Sequence, residues 1–247
     1  MSRPQLELAV QDAAGVRVAV DLGVDRVELC SALALGGVTP SIAMVEAAVA
    51  AAAGAVGVHV LVRPRPGGFR YTEDELAVTY ADVDRALAAG AAGVVVGAQT
   101  AAGRLDGDFV AEVVGRSGAR DVTVHRVVDV CADPVAAVEI AQASGATRVL
   151  TSGGAVTAPQ GTVVLRRMVE AAGKGVQVMA GGGIGPDTVE QVLGTGVAAV
   201  HFSARRAVST HGIPLGAQDD GTHDVTDPDL AAAVVARVRG TSASRAR

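Results

Sequence analysis

Several charged side chains lie inside or directly after short apolar segments, where they could act on a ligand. The clearest case is Val58–Tyr71, which reads VHVLVRPRPGGFRY. Its first five residues predict a buried strand, because neither set of alternating side chains is polar enough to face water. Two prolines then end the strand and leave Arg63 and Arg65 at its carboxyl end. These two guanidinium groups form either an anion clamp or a salt-bridged rim.

Two glutamates and a histidine are candidates for acid or base chemistry. Glu7 lies in Leu-Glu-Leu and Glu28 in Val-Glu-Leu, so each carboxylate is expected to be buried and to need a charged partner. His125 is the complementary proton carrier, and arginines nearby would stabilise developing negative charge. The predicted catalytic residues are Glu7, Glu28, Arg63, Arg65, His125, Arg126 and Asp129. A purely structural network of ion pairs would give the same pattern.

A glycine-rich segment, Met179–Pro186 (MAGGGIGP), is a candidate anion site. It follows a predicted strand and leads into a helix predicted to begin near Pro186, so exposed backbone N–H groups and the helix dipole could hold a phosphate or carboxylate. The alternative is that the glycines only permit a tight turn. The predicted anion-binding residues are Ser152, Gly181, Gly182, Gly183, His201 and Ser203.

The elements that must position these residues are eight short apolar segments that alternate with Ala-rich segments of helical period. Strands are predicted at residues 6–10, 26–29, 57–62, 93–97, 122–127, 148–151, 176–180 and 199–203. The alternation favours an α/β fold of the TIM type, a closed (β/α)₈ barrel, over an open doubly wound sheet, which the pattern alone does not exclude. In such a barrel the carboxyl ends of the strands meet at one mouth, where the polar residues are expected to converge.

The length of 247 residues matches one barrel, and no linker divides the chain. We predict a single barrel domain over residues 1–240 and a disordered tail over residues 241–247. Residues 204–226 form the longest segment without a predicted element, and segments of that length are usually functional or disordered.

Composition argues against several classes of function. The net charge is −5 and only 2% of residues are aromatic, so no nucleic-acid partner is expected. The longest apolar stretch, residues 47–62, reads as a helix followed by a strand, so no membrane partner is expected. Residues 1–8 do not resemble a signal peptide, and two cysteines are too few for a disulfide framework, which favours the cytoplasm. Lys174, the only lysine, lies in a turn, which argues against Schiff-base aldolase chemistry.

The motifs of the whole chain resemble those of the CutC family. They are LEL near the start, DRVELC, GG-TPS, VRPR-GGF-Y, HR--D-C--P, RVLTSG, MAGGGI and a final H-S strand, in this order from about Leu6 to the last helix. The resemblance implies a (β/α)₈ or closely related barrel, a cytosolic protein that self-associates as a dimer or tetramer, and a role in copper homeostasis. Two features depart from the family pattern: Leu8-Ala9-Val10 stands where some relatives carry cysteines, and Arg205-Arg206 stands where smaller, less charged residues are expected.

The copper role depends on sulfur ligands, because Cu(I) selects thiolates and thioethers. The candidate metal ligands are Cys30 and Cys131, with His125 and Met179 as distant helpers. The two cysteines are expected at the same end of the barrel but in different sectors, and packing is the commoner role of a free cysteine. No organic cofactor is predicted. Two hypotheses follow: a copper-binding homeostasis protein, or a barrel enzyme acting by acid/base chemistry on a small phosphorylated or carboxylated metabolite.

Overall fold

A computed structural model of the protein describes residues 3–209 and 221–245, with side chains described as far as Thr241. Strands and helices alternate along the chain, and a two-stranded hairpin is inserted before the last helix. The strands are β1 (Gln5–Val10), β2 (Arg26–Leu29), β3 (Gly57–Leu61), β4 (Gly93–Val96), β5 (Asp121–Val124), β6 (Arg148–Thr151), β7 (Gln177–Gly181), β8 (Ala199–Phe202), β9 (Arg205–Ser209) and β10 (Thr222–Thr226). The helices are α1 (Ala13–Leu22), α2 (Ile42–Ala52), α3 (Glu73–Ala88), α4 (Gly107–Ser117), α5 (Pro134–Ala143), α6 (Thr162–Ala172), α7 (Val189–Leu193) and α8 (Pro228–Arg245).

Strands β1 to β8 form a closed parallel barrel. Each strand pairs with its successor along the chain, and β8 pairs with β1 to complete the ring. The structure therefore confirms the predicted (β/α)₈ TIM-type fold. Strands β2 and β6 have the predicted boundaries, and the ends of the other six differ from the predicted ones by at most three residues.

The barrel has an apolar outer layer and a mixed interior. Valine and leucine side chains such as Val27, Leu29 and Val60 are buried in one continuous core with the helices, as suits β-branched residues on strands. Along each strand, side chains that point into the barrel alternate with those of the outer layer. There Glu7 is in register with Arg26 on β2 and with His201 on β8, so ionisable groups of three strands meet inside the barrel.

Several helices begin where the sequence places a capping residue. Thr72 accepts a hydrogen bond from the backbone N–H of Glu75, and Glu75 accepts one from the N–H of Thr72, which is a capping box. Asp133 caps α5 directly before Pro134. These caps hold the helices that follow β3 and β5, and so help to fix the loops at the barrel mouth.

Two predicted segments differ in the structure, and a third lies partly outside the described residues. Strand β5 ends at Val124, and Arg126–Val130 forms a short 3₁₀ helix because the Nδ1 atom of His125 accepts the N–H of Val127. The segment 204–226 is not wholly irregular, since β9 and β10 pair as an antiparallel hairpin; residues 210–220 lie outside the described residues. Disorder of 241–247 stays a prediction, with α8 extending to Arg245 and residues 246–247 outside the described part.

None of the helices in the described part of the chain combines the length and the apolar character that crossing a bilayer requires.

Candidate active site

A cavity of about 400 Å³ opens at the carboxyl ends of the barrel strands. Its wall combines ionisable side chains with leucine, isoleucine and phenylalanine. The lining residues are Glu28, Leu33, Gly36, Leu61, Arg63, Phe69, His125, Arg126, Leu150, Gly182, Gly183, Ile184, His201, Phe202, Ser203 and Arg205. Pockets of this size, mostly apolar with a few convergent polar groups, are typical of sites for small molecules.

Four ionisable side chains form a row from the barrel interior to the cavity. The Nε atom of Arg26 donates to Oε2 of Glu7 at 2.6 Å, and Oε1 of Glu7 lies 2.7 Å from Nδ1 of His201. The other ring nitrogen of His201, Nε2, lies 3.8 Å from Oε2 of Glu28. Glu7 and Arg26 lie behind the cavity wall, while His201 and Glu28 form part of it.

Three groups of this row have shifted pKa values: that of Glu7 is lowered, and those of His201 and Glu28 are raised. Burial would raise the pKa of Glu7, but the hydrogen bond from His201 and the charges of His201 and Arg26 hold it well below its usual range. Burial would lower the pKa of His201, but Glu28 and Glu7 together raise it. Burial raises the pKa of Glu28 to about 7, and the negative charge of Glu7 adds to the rise. The surroundings therefore favour the ionised form of Glu7 and the protonated form of His201, while Glu28 can gain or lose a proton near neutral pH.

Glu28 has a carboxylate that is free to act. It accepts no hydrogen bond from any described residue, and its closest ionic partner is His201. A carboxylate with a pKa near the working pH is an efficient general base, since it is ionised in a useful fraction and still basic. Glu28 therefore has both the position and the acidity of a proton-transfer group.

Arg63 fixes two loops at the mouth. Its Nη1 atom donates to the carbonyl groups of residues 35–37, the nearest being Gly37 at 2.9 Å, and its Nη2 atom donates to Gly67 at 2.8 Å. Its Nε atom has no partner among the described residues. The side chain thus brings positive charge to the cavity, but most of its donors already bind the backbone.

Arg126 is better placed to bind an anion. Its Nε atom donates to Asp129 at 2.8 Å and its Nη2 atom to Ser152 at 2.7 Å, whereas Nη1 makes no hydrogen bond within the described residues. The guanidinium lies against Gly182, whose φ is +96°; a Cβ atom there would approach Nη1 to 2.9 Å. Glycine at this position therefore permits both the turn and the close approach of the guanidinium.

The loop after β7 adds backbone donors beside Arg126. The N–H groups of Gly183 and Ile184 donate to no acceptor within residues 3–209 and 221–245. The helix predicted to begin near Pro186 is α7, which spans only Val189–Leu193. A turn precedes it, in which the N–H groups of Thr188 and Val189 donate to the carbonyl of Gly185 at 3.1 and 3.0 Å, and the Thr188 hydroxyl accepts the N–H of Gly185 at 2.9 Å.

Eight predicted residues line the cavity, and the others lie outside it. The eight are Glu28, Arg63, His125, Arg126, Gly182, Gly183, His201 and Ser203. Glu7 supports His201 from behind. Asp129 accepts hydrogen bonds from Arg126 and from the backbone of Ser152, so it orders the loop after β6. Gly181 packs against His201.

Arg65 does not reach the cavity, which corrects the prediction that it acts there. Its Nε atom binds the carboxylate of Glu75 at 2.5 Å, and its guanidinium lies over the ring of Tyr71. The side chain is 39% exposed. Arg65 therefore belongs to the salt-bridged rim that was the alternative interpretation.

Part of the cavity wall consists of residues that the sequence patterns do not predict. Phe69 lies on the loop after β3, and Arg205 comes from the hairpin after β8. Arg205 is held by Asp224 on the opposite hairpin strand at 2.9 Å. The departure of Arg205 from the family pattern was a signal for it, since an added charge directly after a barrel strand is expected to face the mouth.

The two cysteines do not fit a Cu(I) site. Cys30 packs inside the barrel with Leu61 and Val95, whereas Cys131 packs in the outer core. Neither lines the cavity. Burial raises the pKa of both thiols, so the thiolate that copper requires is disfavoured in each. The structure thus does not bring the predicted metal ligands together.

A different group has the spacing of a metal site. Glu7, Glu28 and His201 can each offer one ligand atom, and these atoms lie within 4.8 Å of one another. Carboxylate and imidazole donors suit divalent ions and not Cu(I). A metal would have to compete with the proton that Glu28 and Glu7 favour on His201, and with Arg26 for the carboxylate of Glu7.

Fold and site together define a TIM-type barrel protein with a polar, ionisable mouth. A family model described as "CutC family" matches residues 4–206. A CutC family protein of Rhizobium meliloti (strain 1021) is 43% identical over 193 residues, which are 78% of each chain. One of Photobacterium profundum is 32% identical over 244 residues, 95% of this chain and 99% of the relative. The chain belongs to the CutC family.

Solved structures agree with this assignment. The crystal structure of CutC from Streptococcus agalactiae, a protein named for copper homeostasis, has a TM-score of 0.75 and 25% identity and covers 80% of this chain and 97% of its own. Thiamine phosphate pyrophosphorylase from Pyrococcus furiosus shares the fold alone, with a TM-score of 0.59 and 16% identity over 96% of each chain. The cytoplasmic location and the homo-oligomeric state implied by the resemblance stay predictions.

Proposed function

We propose that this protein is a barrel enzyme that binds a small carboxylated or phosphorylated metabolite at the mouth and transfers a proton with Glu28 and His201. The observation that carries the proposal is the free carboxylate of Glu28. It lies in the cavity wall, 3.8 Å from the Nε2 atom of His201, without a hydrogen bond from any described residue. A buried carboxylate left without a donor is costly for a merely structural role, so a ligand is the natural partner.

The acid/base assignments come from the different environments of the pair. Glu28 and Glu7 raise the pKa of His201, and Glu7 orients the ring, so the protonated ring could donate from Nε2. Glu28 has a pKa of about 7 and can accept one. The two carboxylates beside His201 have pKa values pushed apart, that of Glu7 down and that of Glu28 up, which is the usual sign of a division of roles.

The anionic group of the metabolite would be bound where the glycine-rich loop after β7 forms the cavity wall. The donors available are Nη1 of Arg126 and the N–H groups of Gly183 and Ile184. Arg205 and the hydroxyl of Ser203 complete this part of the wall. Loops after the last two barrel strands are the common anion site of this fold.

Thermal unfolding in the presence of phosphate tests the proposal. Millimolar phosphate, or oxalate as a carboxylate, should raise the melting temperature of the wild type, since a ligand of the folded state stabilises it. Arg126→Gln should remove the rise. Arg65→Gln is the matched control, because that guanidinium lies outside the cavity, and it should keep the rise. Equal shifts in both variants, or none in the wild type, would count against the anion site.

Copper ion binding is the second candidate function, favoured by the convergence of Glu7, Glu28 and His201 within 4.8 Å. The donor types suit Cu(II). Titration calorimetry with Cu(II) should then show one site per chain that Glu28→Gln weakens at least tenfold. Binding that is unchanged in Glu28→Gln would place the ion elsewhere.

A further inference from the structure

His125 is a buried histidine with one tautomer available to it. Its Nδ1 atom accepts a hydrogen bond from the backbone N–H of Val127 at 3.2 Å, so Nδ1 carries no proton. A neutral ring must then carry its proton on Nε2. The Nε2 atom has no hydrogen-bond partner in the described part of the chain.

The surroundings of His125 keep it neutral. The side chain is 5% exposed, and burial together with the charge of Arg63 lowers its pKa to about 3. The ring of Phe69 packs 4.9 Å away, centroid to centroid, and the Arg63 guanidinium lies over that same ring. Charged groups on the neighbouring elements are Arg63 after β3 and Arg126 and Asp129 on the 3₁₀ helix, and Asp129 is already bound to Arg126.

An unsatisfied buried donor is unusual in a folded protein. A buried polar group without a partner destabilises the folded state, and such groups are often retained for a functional reason. The unpaired Nε2–H belongs to a residue of the same cavity wall as the free carboxylate of Glu28. Leu61 and Leu150 also line the cavity, and apolar neighbours strengthen a hydrogen bond made beside them.

We propose that the cavity is built for proton transfer next to a carbonyl group, with the neutral His125 as the donor that stabilises the enolate and Glu28 as the base. The substrate class is a small α-hydroxycarbonyl compound that carries a carboxylate or phosphate. This inference rests on the proposed function, because Arg126 and the glycine-rich loop hold the anionic group.

The step balances without an oxidant or a cofactor. Glu28 removes a proton from the carbon next to the carbonyl, and the electron pair of that C–H bond forms a C=C bond. The π electrons of the carbonyl move to its oxygen, which accepts a hydrogen bond from Nε2–H of His125. Glu28 then returns a proton, which it has exchanged with solvent, to the same carbon; the C=C electrons form the new C–H bond and the enolate oxygen returns to a carbonyl. A neutral imidazole is suited to this role because it donates without protonating the oxygen prematurely.

Solvent deuterium exchange tests the inference. Dihydroxyacetone phosphate and hydroxypyruvate, one phosphorylated and one carboxylated, are incubated with the protein in D₂O, and loss of the C–H signal is followed by proton NMR above the uncatalysed rate. The wild type should exchange at least one probe. Glu28→Gln should abolish exchange, and His125→Phe should slow it about 100-fold, as loss of one oxyanion donor does. His125→Gln, which keeps an N–H donor, should retain more exchange than His125→Phe, and His223→Ala, an exposed histidine, should match the wild type.

The melting temperature in phosphate distinguishes a failure of the enolisation inference from a failure of the proposed function. In one outcome, phosphate stabilises the wild type and His125→Phe equally while neither probe exchanges, or while both proteins exchange at the same rate. Either result would show that the enolisation chemistry is wrong and that the anion site stands. If phosphate fails to stabilise the wild type, the proposed function itself is wrong.

A check that needs no ligand is nitrogen-15 NMR of the histidine ring. It should show His125 neutral with the proton on Nε2 between pH 5 and 8, and a protonated ring or the other tautomer would overturn the assignment.

Discussion

The Nδ1 atom of His201 lies 2.7 Å from Oε1 of Glu7, which is completely buried. This contact turns the other ring nitrogen of His201 towards Glu28 and the cavity. The second oxygen of Glu7 accepts from Arg26 at 2.6 Å, so the carboxylate cannot rotate away without breaking a second charged hydrogen bond. Glu7 is therefore a positioning residue for His201.

Replacing Glu7 by Gln should both lower the pKa of His201 and destabilise the fold. The reason is that Arg26 would lose its buried counter-charge and His201 its charged acceptor. Breaking a buried ion pair on one side typically costs about 3–5 kcal/mol. NMR titration of the His201 ring and urea unfolding measure the two effects. The matched control is Glu75→Gln, which breaks the exposed pair with Arg65 and should cost less. An unchanged His201 titration would refute the positioning role.

Glu28→Gln should stabilise the protein at alkaline but not at acid pH. Burial raises the pKa of Glu28 from 4.5 to about 7, so the folded state disfavours the ionised carboxylate. The penalty is absent below pH 4.5, grows as the pH rises to 7 and is constant above it. Removing it should add up to about 3 kcal/mol to the free energy of unfolding at pH 8. Denaturant unfolding from pH 4 to pH 8 measures this, and a gain that is independent of pH would show that Glu28 is not held in a neutral form.

Gly182→Ala should weaken phosphate binding and lower stability. The added Cβ atom would lie 2.9 Å from Nη1 of Arg126, and the φ of +96° is unfavourable for alanine. Left-handed backbone costs about 1–2 kcal/mol for a residue with a Cβ atom. Gly185→Ala is the control in the same loop, since nothing lies within 4 Å of its Cβ position. Calorimetry with phosphate compares the two, and equal affinities would separate Gly182 from the anion site.

Cys30→Ser and Cys131→Ser should leave any affinity for Cu(I) unchanged. Both thiols are buried in separate apolar clusters, and burial raises the pKa of each. Anaerobic competition with a Cu(I) chelator measures the affinity, with the wild type run in parallel. A large loss in either variant would restore a sulfur site that the structure does not provide.

The sequence predicts the fold well because its two periodicities are strong. Apolar runs such as Val58–Val62 are too short for helices and too uniform for a one-sided sheet, so a parallel barrel follows. The polar residues that end these runs, including Glu28, Arg63 and His125, then lie at one mouth by geometry alone. Strand register brings the interior residues together, since Glu7 is in register with Arg26 on β2 and with His201 on β8.

Loop residues are harder to place from the sequence. Arg65 is two positions after Arg63, but the intervening proline turns the chain away and Glu75 captures the guanidinium. Asp129 is predicted to act chemically, yet four donors from the end of β6 and the loop after it occupy its carboxylate: the hydroxyls of Thr151 and Ser152 and the N–H groups of Ser152 and Gly154. Arg205 enters the cavity through a hairpin that the turn and strand patterns did not predict. Such contacts depend on tertiary packing, which the spacing of residues does not encode.

The central claim is that a small anion binds at the mouth, between Arg126 and the loop after β7. The most direct measurement is anomalous X-ray diffraction from crystals soaked in tungstate. The account predicts a strong peak beside Nη1 of Arg126 and the N–H groups of Gly183 and Ile184, within reach of Glu28, and its loss in Arg126→Gln crystals. Peaks found only at surface arginines such as Arg3 and Arg239, with the cavity empty, would contradict it.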